Sequence, residues 1–231
     1  MVDFHTHILP EMDDGSRSVE QSLKMLELMR NYGVDTVMAT PHFDLRLESI
    51  ESFLARRDAA MAKLNEAIGG TFTIIPGAEV LYCGLSLHQI DGIEKLCIGK
   101  SRYLLIEPSM EQLTVSYYND MVRLMSECNI TPVLAHIERY YYIGKNREWI
   151  HRLRKEGAVL QMNAEAFSGW KKGKAIKLMR NESVQIFGSD CHNLERRSPN
   201  LSIVMKYMSK RYVKELDEHL ATWETRILNE C

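Results

Sequence analysis

Short apolar runs alternate with longer amphipathic stretches along the whole chain. The short runs are rich in Val, Ile and Leu and almost uniformly apolar, which is typical of strands covered on both faces of a parallel sheet. In the stretches between them, apolar residues recur at helical spacing. The pattern predicts strands at 2–5, 34–40, 72–78, 103–107, 132–136, 158–163 and 184–189, helices at 18–32, 48–68, 112–128, 146–156 and 171–181, and a long helical region from about 201 to the end.

Capping and turn residues support these boundaries. Ser18 and Gln21 have the spacing of a capping box, which satisfies the first free amides of a helix. The pair Gly69-Gly70 stands where the second helix is predicted to stop. The repeated strand–helix order, without a break in composition, predicts one α/β domain over the whole chain, with a helical extension from about residue 201. A seven-stranded, barrel-like parallel array fits this order, and an open doubly wound sheet is the alternative, because periodicity alone does not close a barrel.

The composition argues against several classes of protein. The chain has 231 residues, of which 45% are hydrophobic and 26% are charged, and its net charge is −2. This balance supports a full hydrophobic core and argues against nucleic-acid binding through bulk positive charge. No apolar run approaches the length of a transmembrane helix, and no secretory signal is visible, so we expect a cytoplasmic protein without membrane insertion. The five cysteines are scattered and form no C-x-x-C pair, which disfavours a disulfide framework or a zinc ribbon.

Histidines and acidic residues follow the carboxyl ends of nearly all the predicted strands. Alone, a Glu after a strand is more often a helix cap or a solvated charge, and a lone H-x-H pair is more often a pair of surface histidines. However, the carboxyl ends of parallel strands meet on one face of the fold, where ligand sites of α/β proteins lie. We therefore expect these side chains to converge. They are His5, His7, His42, Glu79, Glu107, His136, Asp190 and His192, with Asp13 and Asp14 in the loop after the first strand.

This convergence predicts a metal centre. Carboxylates packed together without cations would repel one another and raise their pKa values, and metal ions remove that cost. Counting one of the two loop aspartates, the set offers nine oxygen and nitrogen ligands, which are too many for one ion and suit two or three. Because no thiolate is among them, the set favours Mn, Fe, Zn or Co. Ion clusters of this kind activate water for displacement at phosphorus.

Six motifs carry a resemblance to a known family. They are His5-Thr6-His7-Ile8-Leu9-Pro10, Asp13-Asp14-Gly15, Thr40-Pro41-His42, Gly77-Ala78-Glu79, Ala135-His136-Ile137-Glu138-Arg139-Tyr140 and Gly188-Ser189-Asp190-Cys191-His192-Asn193-Leu194. From residue 1 to about 200, the chain resembles the polymerase and histidinol phosphatase (PHP) superfamily. Within it, the chain is most similar to the manganese-dependent protein-tyrosine phosphatases of bacterial capsule and exopolysaccharide operons. The resemblance implies a distorted (β/α)7 barrel with a cluster of three metal ions.

The resemblance also implies a role for each ligand. His5, His7, Glu79 and Asp190 would hold one ion, Glu79, Glu107 and His136 a second, and Asp14, His42 and His192 a third. Asp14 is preferred to Asp13 because the second Asp of the motif is the family ligand. Arg139 and Arg197 match arginines that contact the phosphate, with Arg196 as the alternative to Arg197.

The implied activity is hydrolysis of phosphotyrosine, in which a hydroxide activated by the metal ions attacks phosphorus in line. Two or three Mn²⁺ ions are the expected cofactors, with Fe, Zn or Co as alternatives. The implied partner is a phosphotyrosine-containing bacterial tyrosine kinase that regulates capsular or exopolysaccharide synthesis, and a homo-oligomer is compatible with this function. The alternatives are a phosphatase for a small metabolite such as histidinol phosphate, and a non-catalytic module that binds a phosphoprotein.

Three questions stay open in the sequence. Cys191 and Arg197 fit the C-x5-R pattern of cysteine-dependent phosphatases, but no Gly between them eases a phosphate-binding loop, and the residues flanking Cys191 are better explained as metal ligands. The side chains of Tyr140-Tyr141-Tyr142 could form an aromatic surface for a phosphotyrosine ring, or could be packing residues with their hydroxyls in solvent. The general acid could be Asp13 or a metal-bound water.

Overall fold

The strands and helices lie close to their predicted positions. In the computed structural model, the described residues are 1–108, 112–182, 184–204 and 213–231. The strands are β1 (Val2–Thr6), β2 (Thr36–Ala39), β3 (His42–Phe43), β4 (Thr73–Pro76), β5 (Glu79–Leu81), β6 (Tyr103–Glu107), β7 (Thr131–Leu134), β8 (Val159–Asn163) and β9 (Ile186–Gly188). The longer helices are α1 (Val19–Asn31), α2 (Ile50–Ile68), α3 (Val115–Glu127), α4 (Asn146–Glu156), α5 (Lys172–Glu182) and α6 (Val213–Leu228).

The second and third predicted strands each divide into two. β2 ends before Pro41, which has no amide hydrogen to donate, and β3 starts at His42. β4 and β5 divide in the same way ahead of Glu79. A backbone hydrogen bond from Glu79 N to Pro41 O, at 2.9 Å, carries the pairing across the breaks. Each divided strand therefore occupies one position in the sheet. Each break places a predicted ligand at the start of the second segment, which is His42 in β3 and Glu79 in β5.

The sheet is parallel throughout and closes on itself. The strands form two series of hydrogen-bonded neighbours, β1-β2-β4 and β3-β5-β6-β7-β8-β9. The chain that leaves β9 then pairs with β1, where Asp190 N donates to His5 O at 2.8 Å. A second bond runs from His7 N to Cys191 O at 3.0 Å. The predicted α/β fold, a distorted (β/α)7 barrel, is confirmed, and the open doubly wound alternative is wrong.

Two apolar clusters fill the two sides of the sheet. The larger cluster lies between the strands and the surrounding helices. The smaller cluster fills the barrel interior and includes Ile227 of α6. α6 thus covers the end of the barrel opposite the carboxyl ends of the strands, where Val2 N donates to Glu224 Oε1 at 3.1 Å. The buried members of the smaller cluster are Val2, Phe4, Met38, Ile98, Tyr103, Leu105, Val133, Ala135, Val159, Ile186 and Ile227.

The third unit of the barrel has no α-helix, in agreement with the predicted helices, none of which lies between residues 78 and 103. After β5 the chain forms two 3₁₀ turns, Leu87–Gln89 and Ile93–Leu96. Asp120 of α3 holds the first turn, because its carboxylate accepts hydrogen bonds from Leu87 N at 3.0 Å and from His88 Nδ1 at 2.5 Å. His88 therefore has a structural role, as expected for a histidine away from the strand ends.

The C-terminal helical region is described only in part. The region predicted from about 201 includes residues 205–212, which lie outside the described residues, and α6 forms the described part beyond them. Within the described ranges, none of the helices has both the length and the apolar character needed to cross a membrane.

The close approach of β9 to β1 makes Gly188 sensitive to substitution. A Cβ at Gly188 would lie 2.4 Å from the Cβ of His5 and 3.0 Å from Gln161 Nε2. We expect Gly188→Ala to lower the free energy of unfolding by about 1–3 kcal/mol, because overpacking forces the strands apart. Thermal unfolding measures the loss. Gly173→Ala in α5 is the matched control, since a Cβ there meets no neighbouring atom within 4 Å, and an equal loss in both variants would contradict the packing argument.

Candidate metal centre

His5 and His7 reach the same point at the carboxyl end of β1. The pairing of β1 with β2 changes register between Asp3 and Thr6, and such an irregularity re-aims the side chains beside it. The Nε2 atoms of His5 and His7 lie 3.1 Å apart, and both imidazoles are buried. The two histidines therefore act as the pair that the H-x-H spacing predicts.

The carboxylate of Glu79 lies at the centre of the site. Its Oε2 atom is 3.1 Å from His5 Nε2, 3.2 Å from His7 Nε2 and 3.1 Å from His42 Nδ1. Its Oε1 atom is 3.0 Å from His136 Nε2. Because Glu79 contacts four histidines from three different parts of the sheet, the bridging position that the resemblance implies is compatible with this geometry.

The remaining predicted ligands lie on two sides of Glu79. On one side, Asp14 Oδ1 is 3.2 Å from His192 Nε2 and 3.5 Å from His42 Nε2. On the other side, Glu107 Oε1 is 3.4 Å from His136 Nε2. The side chain of Asp14 is 65% exposed and that of His192 only 1%, so the site opens to solvent at Asp14.

The structure brings all nine predicted ligands into one cluster. Three overlapping groups among the described residues have ligand atoms within 4.8 Å of one another. The main difference between these groups and the predicted division among ions is that His42, and not His136, stands with Glu79 and Glu107. The groups are His7, Asp14, His42 and His192; His5, His7 and Asp190; and His42, Glu79 and Glu107. The assignment of ligands to individual ions stays a prediction.

The carboxylates of the cluster hold positive charge on the histidines around them. Burial lowers the pKa of His7, but hydrogen bonds with Asp13 and Glu79 outweigh burial and raise this pKa to about 10. Burial also opposes the charged form of His136, and its hydrogen bonds with Glu107 and Glu79 raise its pKa to about 9. Metal ions would supply the same positive charge, and binding them requires the histidines to release these protons.

Buried atoms without hydrogen bonds also fit a metal cluster. In the described part of the chain, Glu79 Oε2 and His192 Nε2 make no hydrogen bond of acceptable geometry. A buried polar atom left in this state costs about 1–3 kcal/mol, which a cation at the same point would remove. Burial, together with the charges of His7 and Arg197, lowers the pKa of His192 to about 4. His192 is therefore neutral at neutral pH and has a free lone pair with which to bind a metal.

Arg139 and Arg197 meet the cluster at Asp190. Arg139 Nη2 donates to Asp190 Oδ2, and Arg197 Nη2 donates to Asp190 Oδ1, both at 2.6 Å. The two side chains are 36% and 32% exposed, so an anion can reach them from solvent. Arg196 is exposed beside Arg197, and the contact with Asp190 favours Arg197 as the arginine of the site.

Two residues of the cluster have strained backbone conformations. His136 has a φ of 31° and Asp190 a φ of 52°, in the left-handed region that few residues other than glycine adopt. Strain of this kind costs about 1–3 kcal/mol per residue and persists where the surrounding structure imposes it. At His136 the chain turns from β7 into the 3₁₀ turn Ile137–Arg139, and this change of direction brings the imidazole to Glu79.

Proteins of one known family resemble this chain along its whole length. The sequence matches the family described as capsular polysaccharide synthesis, CpsB/CapC, over residues 1–228. The chain belongs to the CpsB/CapC family. Tyrosine-protein phosphatase CpsB of Streptococcus pneumoniae is 31% identical over 227 residues, which cover 92% of this chain and 91% of that protein. Tyrosine-protein phosphatase YwqE of Bacillus subtilis (strain 168) is 26% identical over 223 residues, which cover 94% and 87%.

Solved structures share the fold of this CpsB/CapC chain. One comes from work on YwqE from Bacillus subtilis and CpsB from Streptococcus pneumoniae, described as unique metal-dependent tyrosine phosphatases. It covers 100% of this chain and 95% of its own, with a TM-score of 0.88 at 24% identity. The histidinol phosphate phosphatase of Lactococcus lactis, solved with zinc, L-histidinol and phosphate, covers 94% and 93%, with a TM-score of 0.58 at 13% identity. The family and the barrel fold implied by the sequence motifs are confirmed.

β8 contributes two polar residues that the sequence analysis does not single out. Gln161 Oε1 accepts a hydrogen bond from His136 N at 2.6 Å and lies 3.3 Å from His5 Nδ1. Gln161 Nε2 donates to Asn163 Oδ1 at 2.9 Å. Asn163 Nδ2 then donates to Asp190 Oδ2 at 2.7 Å. The two residues lie on one face of an otherwise apolar strand, and this spacing of two is the signal that could have identified them.

Asp13 supports the cluster from behind. Its Oδ2 atom accepts hydrogen bonds from His7 Nδ1 at 2.7 Å and from His42 N at 2.8 Å. Its Oδ1 atom accepts one from Gly15 N at 2.9 Å. Burial raises the pKa of Asp13, but these bonds and the charge of His7 outweigh it and hold the pKa well below its ordinary value. Asp13 is therefore a positioning residue, and the alternative that it acts as the general acid is disfavoured.

The tyrosine triplet combines both roles left open by the sequence. Tyr140 and Tyr141 are buried, and the hydroxyl of Tyr140 donates to Glu107 Oε1 at 3.3 Å. Tyr142 is 47% exposed and lines a cavity beside Arg139. The first two tyrosines therefore pack in the interior next to the site, and the third faces the cavity.

Cys191 lies between two predicted ligands and points away from solvent. The side chain is fully buried, and burial raises the pKa of the thiol well above its ordinary value. Because the thiolate is the nucleophilic form of cysteine, the cysteine-dependent mechanism is disfavoured.

We expect Gln161→Leu to lower the affinity for Mn²⁺ about 10–100-fold. The substitution removes the acceptor that fixes the backbone of His136 and the ring of His5. Calorimetric titration of chelator-stripped protein measures the affinity. The matched control is Gln185→Leu, because Gln185 is also buried but bonds Leu160 N at 2.8 Å, away from the cluster. Equal losses of affinity in the two variants would show that Gln161 acts only through general stability.

Metal binding should depend on pH in a defined direction. The pKa values of His7 and His136, at about 10 and about 9, lie above the ordinary histidine value of about 6.5. Their protons therefore stabilise the metal-free fold at neutral pH, and this contribution is lost as the pH rises through these values. We expect Mn²⁺ to release protons on binding at neutral pH and to bind more tightly as the pH increases. Calorimetry in buffers of different ionisation enthalpy measures the released protons, and binding without proton release would contradict the expected charge state.

Proposed function

We propose that this chain is a metal-dependent protein-tyrosine phosphatase, a phosphoric monoester hydrolase that removes phosphate from phosphotyrosine. The observation that carries the proposal is the cluster of histidines and carboxylates with Arg139 and Arg197 at one edge. The cluster offers ligands to cations, and the arginines offer donors to a phosphate anion. The names of the relatives, tyrosine-protein phosphatase CpsB and YwqE, support the same activity.

The nine predicted ligands are the proposed metal-holding residues. Two or three Mn²⁺ ions are the proposed cofactors, and Fe, Zn or Co suit the same nitrogen and oxygen donors. When bound, divalent ions lower the pKa of water and neutralise charge on phosphoryl oxygens. The proposed ligands are His5, His7, Asp14, His42, Glu79, Glu107, His136, Asp190 and His192.

The chain's own contribution to phosphate binding comes from Arg139 and Arg197. Each guanidinium carries five N–H donors, and each gives one short hydrogen bond to Asp190. The other donors of each fork can bind the phosphoryl oxygens in pairs. The leaving phenolate has an ordinary pKa of about 10, so it needs less help from a general acid than an alkyl alcohol does.

The proposed substrate is a phosphotyrosine-bearing segment of a bacterial tyrosine kinase that regulates capsular or exopolysaccharide synthesis in the cytoplasm. The family description, capsular polysaccharide synthesis, supports this assignment. The shape of the site supports it as well, because Asp14 is 65% exposed at its outer side. A phosphate at the end of a protein side chain can therefore approach the cluster.

The first test is phosphate release from a phosphotyrosyl peptide by chelator-stripped protein, with and without added Mn²⁺. We expect release only with the metal ion. We expect His136→Ala to lower the rate by more than about 100-fold, because loss of a ligand should exceed the loss of a residue that only orients one. Histidinol phosphate is assayed beside the peptide, and release from histidinol phosphate alone would favour the small-metabolite alternative.

Cys191→Ser is the control for the mechanism. Since the thiol is buried and protonated, we expect this variant to keep its activity. Loss of activity with metal still bound, or phosphate release without any metal, would contradict the proposal. Tight binding of the phosphopeptide without turnover would favour a non-catalytic module.

A further inference from the structure

A cavity of about 610 Å³ opens beside the metal centre. Arg139 and Asn163 are among the residues that line it. Both residues donate to the same atom of the cluster, Asp190 Oδ2, at 2.6 and 2.7 Å. The cavity therefore adjoins the edge of the site that is proposed to bind phosphate through these two residues, although none of the nine predicted metal ligands lines it.

The side walls of the cavity are largely aromatic and aliphatic. Tyr142 and Trp170 both line the cavity, and they are 47% and 83% exposed. Ala175 and Leu178, which are buried residues of α5, also line it. The ring of Tyr142 is held in place, because its hydroxyl donates to the Lys174 carbonyl at 3.2 Å and Lys174 Nζ lies 5.2 Å from the ring centre.

The charges around the cavity favour a neutral group within it. Away from Arg139, the charged lining residues are two carboxylates, Glu138 and Glu165, and one ammonium group, Lys174, so this part of the cavity has no excess of positive charge to bind a second anion. The positive charge of Arg139 stands at the end next to the cluster. A ligand with a phosphate at one end and an apolar ring at the other matches this order of charge. The volume also lies within the range of about 300–1,000 Å³ that is typical of ligand pockets.

We propose that this cavity receives the phenyl ring of phosphotyrosine, and that Tyr142 and Trp170 determine specificity for aromatic phosphate esters. The inference rests on the proposed function. A phosphate that is bound by Arg139 lies at the inner end of the cavity, and the ring attached to it extends along Tyr142 and Trp170. An alkyl phosphate leaves both side chains in water and gains nothing from them.

The kinetic test compares kcat/KM for a phosphotyrosyl peptide and for glycerol 2-phosphate, an ester without a ring. We expect Trp170→Ala and Tyr142→Ala each to lower the value for the peptide about two- to tenfold, the range for one aromatic contact, and to leave the value for glycerol 2-phosphate unchanged. Tyr142→Phe keeps the ring and its contact with Lys174 Nζ but loses the hydrogen bond of the hydroxyl, so it should lose less than Tyr142→Ala. Tyr32→Ala is the matched control, since Tyr32 is a 41% exposed aromatic residue at the far end of α1. Equal losses on both substrates would overturn the assignment of the cavity.

A binding test separates the cavity from the proposed activity. Metal-loaded protein is titrated with phenylphosphonate and with methylphosphonate, and tryptophan fluorescence is followed. We expect a change with the phenyl compound that is absent with the methyl compound and absent in Trp170→Ala. If wild type releases no phosphate from the peptide, the proposed function fails, and this titration still decides about the cavity: a signal that depends on both the ring and Trp170 supports it, and the lack of one overturns it.

Discussion

The structure of the site depends on one constraint, which is that the carboxylate of Glu79 is buried among four histidines and not in water. A buried carboxylate without positive partners is too costly to stay ionised. Glu79 is 1% exposed, yet the histidines around it hold its pKa well below the ordinary value, against the effect of burial. The carboxyl end of β1, the start of β3 and the carboxyl end of β7 must together bring four imidazoles to within about hydrogen-bonding distance of one carboxylate. The closure of the barrel is therefore required by the charge balance at its mouth as well as by its apolar core.

The backbone meets this requirement with local departures from regular strands. Two of the predicted strands are interrupted just before a predicted ligand, which is His42 in one strand and Glu79 in the other. β1 changes register between Asp3 and Thr6, and His136 adopts a left-handed conformation. A regular strand would send successive side chains to opposite faces, so these irregularities are what turn the ligands towards a common point. They cost conformational energy, which the core and the cluster must offset together.

The sequence predicts the features that repeat along the chain. It misses those that depend on contacts formed only in the folded structure. Seven apolar runs and the ligands after them follow from hydrophobic periodicity and from the rule that sites lie at the carboxyl ends of parallel strands. By contrast, nothing local indicates that Asp13 contacts His7 whereas Asp14 contacts His192 and His42, because this depends on how the loop folds back onto β1. Gln161 and Asn163 are visible as a polar pair in an apolar strand, but amides are not typical metal ligands and so escape a search for histidines and acids. The aromatic wall formed by Tyr142 and Trp170 joins two separate loops, and only the folded chain brings them to one cavity.

Arg139 and Asn163 link the chemistry of the site to its selectivity. Both contact Asp190 on one side and the cavity on the other. The ligands come from strand ends fixed by the barrel, whereas the cavity walls come from the segments after β7 and β8 and from α5. Barrels of this kind retain a common catalytic centre and vary the loops around it to change the substrate. A solved structure of the same fold, which contains L-histidinol and phosphate, has 13% identity to this chain. At this identity, the side chains that surround the site can differ although the barrel is similar. Substrate choice in the CpsB/CapC chain is thus expected to depend on a few exposed side chains that contribute little to folding, because the closed sheet already determines where the buried cluster lies.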